Sequence, residues 1–205
     1  MKGLYLVTDR ALCGDRSLAD VVSQAIRGGV TCVQLREKDL STRDFVEEAR
    51  TIKELLAPLG IPLIINDRLD VALAVEADGV HVGQDDMPYE IARKLMGPGA
   101  IIGVSVETWE DVETAEKLDC DYIGVSPVFE TPTKTDTKGA WGLEGLVKIR
   151  SCSRHRLVAI GGINQTNAGD VVAAGSDSLA VVSAICSADD PFEAARELSS
   201  LFSRD

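Results

Sequence analysis

Residues 61–86 read IPLIINDRLDVALAVEADGVHVGQDD, and the fold turns on how this stretch is divided. IPLIIN (61–66) is a short run rich in branched apolar residues, GVHVG (79–83) is another, and a helical pattern lies between them. The same alternation extends in both directions. LYLVT (4–8) and TCVQLR (31–36) precede it, while IIGVS (101–105), YIGVS (122–126), LVAIGG (157–162) and SLAVVS (178–183) follow. Most of these runs are continuously apolar for several residues, as expected of strands with helices over one face and a packed interior behind the other. Alternating units of this kind build an open doubly wound sheet or a closed parallel barrel, and eight of them favour closure. The expected architecture is α/β, a single-domain (β/α)8 TIM barrel over residues 1–205, with its active site at the C-terminal ends of the strands.

The segments between the runs carry helix punctuation. Ser17 with Asp20, Ser41 with Asp44, Thr108 with Asp111, and Asp190 before Pro191 are N-cap signals, and Gly28, Gly29 and Gly60 are stop signals. The acidic run ETWEDVETAEKL (107–118) reads as the solvated face of one helix, with no functional role.

Composition narrows the function. A chain of 205 residues that is 45% hydrophobic suits one well-buried core. With 33 acidic against 21 basic residues its formal charge is -12, which sets nucleic acids and anionic membranes aside as partners. Any bound phosphate must then be met by local basic residues. The apolar stretch of residues 4–7 is too short for a signal-peptide core, and nothing later approaches the roughly 20 apolar residues of a membrane span, so a cytoplasmic location is expected. The five cysteines are scattered, form no C-x-x-C pair and show no histidine beside them in sequence; free, mostly buried thiols are expected, and no zinc site.

Loops that follow the strands of a parallel barrel gather at one rim. There the sequence offers Thr8, Asp9 and Arg10, then Gln34, Arg36 and Lys38, then Asn66, Asp67 and Arg68. Gln84, Asp85 and Asp86, then Ser105, Gly161 and Gly162, and Ser183 complete the circuit. Arg36 and Lys38 stand two apart on extended chain, so both project to one side, and with Lys134 they could neutralise a polyphosphate. Gly161 and Gly162 suit either a phosphate cradle or a tight turn that needs positive φ. Asp67 and Asp86 follow neighbouring strands and could share a Mg2+ ion with substrate phosphate oxygens; each also occupies a plausible N-cap position. His81 lies within a strand run and reads as a hydrogen-bonded structural histidine. The stretch FETPTKTDTKGAWG (129–142) is either a solvated loop or a clamp for an anionic ligand.

The stretches LYLVTDR, GGVTCVQLREKD, INDRLDVALAVEADGVHVGQDDMP, DYIGVSPVFETPTK, AIGGIN and AVVSAI resemble, in order and over nearly the whole chain, the thiamine-phosphate synthase family. QLREK, NDR, GVHxGQxD and TPTK in combination carry that resemblance. It implies a transferase of thiamine biosynthesis that condenses 4-amino-2-methyl-5-hydroxymethylpyrimidine diphosphate with 4-methyl-5-(2-phosphooxyethyl)thiazole. The products would be thiamine phosphate and pyrophosphate, formed with Mg2+ by dissociative loss of pyrophosphate. Residue by residue, it implies that the segment Gln34, Leu35, Arg36, Glu37 and Lys38, together with Asn66, Ser105 and Lys134, contacts the pyrimidine diphosphate. Arg36, Lys38, Lys134 and Ser105 would serve catalysis, Asp67 and Asp86 would hold Mg2+, and Thr131, Pro132, Thr133, Gly162, Val182 and Ser183 would surround the thiazole phosphate. No protein nucleophile is then needed, in keeping with the lack of a visible Ser–His or Cys–His pair. The remainder of the long loop, residues 135–139, is expected to form a lid hinged at Gly139. Competing functions are a thiazole tautomerase on the same barrel and a non-catalytic barrel that binds a phosphorylated metabolite; homo-oligomer formation stays open.

Overall fold

The computed structural model describes residues 2–131 and 138–202. Every expected run forms a strand: β1 (Gly3–Val7), β2 (Val30–Leu35), β3 (Leu63–Asn66), β4 (Gly79–Val82), β5 (Ile101–Val106), β6 (Tyr122–Val125), β7 (Arg156–Ile160) and β8 (Ser178–Val181). Each pairs in parallel with its sequence neighbours, and β8 returns to β1, which closes the (β/α)8 barrel. The helices between and after them are α1 (Leu18–Arg27), α2 (Thr42–Leu56), α3 (Leu69–Ala74), α4 (Tyr89–Met96), α5 (Trp109–Ala115), α6 (Gly142–Cys152), α7 (Ala168–Ala173), α8 (Ser183–Cys186) and α9 (Pro191–Ser199). Among the described residues, no helix is long and apolar enough to cross a membrane.

The helix signals act as the sequence suggested. Ser17, Ser41, Thr108 and Asp190 each accept a hydrogen bond from a backbone N–H in the first turn of α1, α2, α5 and α9, and Thr108 with Asp111 forms a full capping box. Asp67 and Asp86 do not cap. The N-cap of α3 is Arg68 and that of α4 is Pro88, neither with a side-chain bond, so both carboxylates are released from the structural duty that the sequence allowed them.

Alternation along the strands separates two cores. One set of side chains, including Leu4, Leu6, Leu35, Leu63 and Ile65, packs outward against the helices. The other fills the barrel: Tyr5, Cys32, Ile64, Tyr122, Val158 and Ala180 meet on the inside. Two phenols in so narrow an interior need space opposite them, and glycines inside strands supply it. A Cβ at Gly103 would lie 2.0 Å from Tyr122 Cζ, and one at Gly124 would lie 3.0 Å from His81 Cε1. Gly103→Ala is therefore expected to destabilise the fold by at least about 2 kcal/mol through overpacking, whereas Gly169→Ala in α7, where nothing lies within 4 Å, should be neutral or mildly stabilising. Chemical denaturation of the two variants checks the contrast; equal stabilities would contradict it.

Candidate active site

A cavity of about 420 Å3 opens at the C-terminal ends of the strands. Its walls are made by the period of two. Gln34, Arg36 and Lys38 line it, while between them Leu35 is fully buried among the helices and Glu37 turns to Arg10, its Oε1 3.5 Å from Arg10 Nε. Burial pushes the Glu37 carboxyl up, with Arg10 opposing. Neither the Leu35 nor the Glu37 side chain lines the cavity. The end of β2 is fixed to β1 by a bond from the Arg36 N–H to Thr8 Oγ1 (3.0 Å), and the Arg36 guanidinium lies 3.8 Å from the Asp9 carboxylate.

Asn66 and Asp67 follow directly at the end of β3 and also line the cavity. Asp67 has φ of 59°, in the left-handed region that side chains rarely adopt, and its N–H donates to His81 O at 2.9 Å. That turn brings its carboxylate to Lys38, with Nζ 2.6 Å from Oδ2. Asp86 is held by the Gly83 N–H, which donates to its Oδ2 at 2.8 Å. The two carboxylates sit against each other, and their ionisation diverges. Burial works against the charge on Asp67, yet Lys38 and then Asp86 hold its carboxyl below the usual range; burial and then Asp67 push Asp86 up. Two hard oxygen donors in contact at the mouth of a polar cavity, which cannot both carry charge without a cation, are a fitting set for Mg2+, which takes one or two carboxylates and completes its shell with water and phosphate oxygens. Among the described residues, no cluster of three or more histidine, cysteine or acidic side chains stands ready to hold a metal by itself.

Ser105 lies across the cavity on β5. Its carbonyl accepts from Gln84 Nε2 at 2.6 Å, and its Oγ lies 2.8 Å from His81 Nε2. The sequence showed no Ser–His pair, because these partners are 24 residues apart and meet only when β4 and β5 lie side by side. On the other side of the imidazole, Nδ1 meets the Tyr122 hydroxyl at 2.9 Å, where a charge-stabilising triad would need a carboxylate. The arrangement therefore orients Ser105 and does not activate it as a nucleophile. Likewise Cys120 lies beside His155, with Sγ 3.7 Å from Nδ1, a Cys–His approach that the sequence did not reveal. Burial pushes that thiol up to about 12, so it stays protonated and inert, away from the cavity. The described cysteines are all free; Cys13, Cys32, Cys120 and Cys186 are buried and Cys152 is exposed.

Gly161 and Gly162 have φ of 102° and 65°, and a Cβ on either would collide with the chain after β6: 2.5 Å from Pro127 Cβ for Gly161, 2.8 Å from Glu130 O for Gly162. The tight-turn requirement is thus real, and the same pair lines the cavity with Thr131, Val182 and Ser183. The loop of residues 129–142 is closed at its neck, where Trp141 N–H donates to Pro127 O and Gly142 N–H to Val128 O, both at 2.9 Å. Pro132, Thr133 and Lys134 lie outside the described residues, as do residues 135–137 of the expected lid. Of the rest, Gly139 has φ of 123°, and Lys138 lines the cavity. Gln84, expected at the rim, lines it too, whereas the sequence gave no site role to Tyr5, Glu107 or Tyr122, all of which also line it. For the interior tyrosines the signal was available: strand alternation puts Tyr5 and Tyr122 on the same side as the rim residues.

Comparison with known proteins gives a consistent picture. A family model described as thiamine monophosphate synthase matches residues 4–185. The thiamine-phosphate synthase of Albidiferax ferrireducens is 61% identical over 198 residues, covering 97% of this chain and 90% of its own length. That of Leptospira biflexa is 52% identical over 206 residues, covering 98% of each. The solved structure of a thiamine phosphate pyrophosphorylase from Pyrococcus furiosus superposes with a TM-score of 0.90 at 41% identity, over 98% of this chain and 95% of that one.

The Lys38–Asp67 contact generates a titration. Because the Asp67 carboxyl is depressed in the folded state, the stability it contributes is present above the unfolded aspartate value and is lost as pH falls through the folded one. Replacing Lys38 by Met removes the ammonium and leaves burial and Asp86, so the Asp67 midpoint, followed by carbon-13 NMR, should rise above its native position. A midpoint unmoved by Lys38→Met would contradict this reading of the pair.

Proposed function

The chain belongs to the thiamine monophosphate synthase family, and from that premise we propose that its rim joins 4-amino-2-methyl-5-hydroxymethylpyrimidine diphosphate to 4-methyl-5-(2-phosphooxyethyl)thiazole, giving thiamine phosphate and pyrophosphate. The observation that carries this is the meeting, in one cavity, of the cations Arg36 and Lys38 with the carboxylate pair Asp67 and Asp86. A barrel for a single monophosphate, whether a tautomerase or a non-catalytic binder, would have no use for that pair.

In the reaction, the bond between the pyrimidine's methylene carbon and the diphosphate oxygen breaks, and its electron pair leaves with pyrophosphate. The electron-rich aminopyrimidine spreads the resulting positive charge. The thiazole nitrogen then supplies the pair for the new C–N bond. No proton transfer to or from carbon is required, so the protein's task is to hold two rings in contact and to stabilise a departing anion. Arg36, Lys38 and Lys134 do the second; Gln34, Asn66 and Ser105 hold the pyrimidine diphosphate. Thr131, Pro132, Thr133, Gly162, Val182 and Ser183 hold the thiazole phosphate, where a glycine permits the backbone to approach an anion closely. Asp67 and Asp86 would hold Mg2+, which supplies the positive charge that lets a diphosphate lie beside two carboxylates. Lys38, bonded to Asp67 in this structure, would exchange that carboxylate for a phosphate oxygen when the diphosphate binds.

Purified protein given both substrates and Mg2+ should release one pyrophosphate per thiamine phosphate formed. Binding of the thiazole phosphate without any pyrophosphate release would overturn the synthase reading. Lys134→Ala should lower kcat at least about tenfold while unfolding free energy moves by less than about 0.5 kcal/mol; a parallel loss of stability and activity would give Lys134 a structural role instead. Asp86→Asn should raise the Mg2+ concentration for half-maximal rate by at least roughly tenfold, and an unchanged requirement would remove Asp86 from the ligand set.

A further inference from the structure

Beneath the cavity a chain of side-chain hydrogen bonds crosses the barrel. Gln34 Nε2 donates to the Tyr5 hydroxyl at 2.9 Å, and the Tyr5 and Tyr122 hydroxyls are 2.8 Å apart. The Tyr122 hydroxyl lies 2.9 Å from His81 Nδ1, and His81 Nε2 lies 2.8 Å from Ser105 Oγ. Five side chains from β2, β1, β6, β4 and β5 are thus joined in series, with both ends on the cavity wall. Tyr5 and Tyr122 are each only 1% exposed. The fold makes room for the chain, since a Cβ at Gly103 would come within 2.4 Å of the Tyr122 hydroxyl oxygen.

Such a chain has a direction. A phenol carries one proton: with Tyr5 accepting from Gln34 and giving its own proton to Tyr122, Tyr122 in turn gives its proton to His81 Nδ1. The imidazole proton is then on Nε2 and is given to Ser105 Oγ, which leaves the Ser105 proton for the cavity. At the opposite end Gln34 lines the same cavity, and with its Nε2 given to Tyr5 its Oε1 is the atom left to meet a ligand. Burial keeps both phenols protonated, well above their ordinary range, so the order is not lost by ionisation.

We infer that Tyr5, Tyr122 and His81 are positioning residues that lock the hydrogen-bond polarity of the pyrimidine subsite, an acceptor at Gln34 and a donor at Ser105. The inference rests on the pyrimidine diphosphate being the ligand of this cavity. A 4-aminopyrimidine matches that polarity, because its amino group donates and its ring nitrogens accept. The 4-oxo counterpart presents a carbonyl oxygen in place of the amino group and meets the Gln34 oxygen with no proton between them. The relay therefore selects the aminopyrimidine against the oxo form, although none of its three central members need touch the ring.

The test compares affinities of the full chain with Mg2+ for the amino and the oxo pyrimidine diphosphates, by calorimetry, in the native protein and in Tyr122→Phe. The native protein should prefer the amino form by at least roughly 50-fold, and Tyr122→Phe, which severs the chain at its centre, should reduce that preference to less than about fivefold with thiazole phosphate affinity unchanged. If the native protein releases pyrophosphate and Tyr122→Phe keeps the full preference, the relay is overturned and the reaction stands. If the native protein releases no pyrophosphate from both substrates, the reaction is overturned and the relay with it. A second measurement needs no variant. The chain has two histidines, so nitrogen-15 NMR of labelled histidine resolves His81. Protonated Nε2 with unprotonated Nδ1 supports the direction from Gln34 to Ser105, and the opposite tautomer overturns it.

Discussion

A ring of eight parallel strands, closed on itself, forces every second side chain into a narrow interior, and the rest of this molecule follows from that constraint. Along β2 from Cys32 and along β3, the inward set begins as apolar packing and becomes polar toward the rim without a break in the alternation. On β2 the same alternation runs from Cys32 through Gln34 to Arg36 and Lys38; on β3 it runs from Ile64 to Asn66. Core and cavity are one layered object. Substitutions that look structural, such as those at Gly103 and Gly124, therefore act directly on the groups beneath the site.

Electrostatics at the rim oppose the protein's overall sign. A chain with a formal charge of -12 repels anions at long range, yet its cavity gathers Arg36, Lys38 and Lys138. The acidic partners are as informative as the basic ones. Asp67 and Asp86 are pressed together at a cost that neither repays by capping a helix, and Asp67 adopts a left-handed backbone to get there. A cation held by both, as proposed, would turn that repulsion into binding energy. Diphosphate recognition would then be conditional on the metal, and the site would distinguish a diphosphate with its Mg2+ from other phosphorylated metabolites.

Much of this was legible in the residues, and the illegible part has a physical pattern. Strand runs, caps and the shared direction of Arg36 and Lys38 depend on local periodicity, so they could be read within a window of about ten residues. The turn at Asp67 could not, because nothing in NDR announces a positive φ at a residue other than glycine. Nor could the Ser105–His81 and Cys120–His155 contacts, whose partners are separated by 24 and 35 residues and are brought together by closure of the barrel. Tyr5 and Tyr122, 117 residues apart, are the extreme case. For Gly161 and Gly162 the sequence left a choice between turn and cradle that the structure dissolves. The close approach to Pro127 and Glu130 demands glycine, and the same turn forms part of the cavity wall.

In the proposed site the carboxylate pair makes diphosphate binding depend on a divalent cation. Calorimetric titration of pyrophosphate into the native protein, once with Mg2+ and once with the metal chelated, measures that dependence. Affinity should fall by at least about tenfold without the metal, since the two carboxyl groups, with Lys38 engaged on Asp67, then face the anion with no cation of their own. Equal affinity in the two titrations would mean that Arg36 and the lysines suffice, and that the pairing of Asp67 with Asp86 serves some purpose other than holding a metal for the diphosphate.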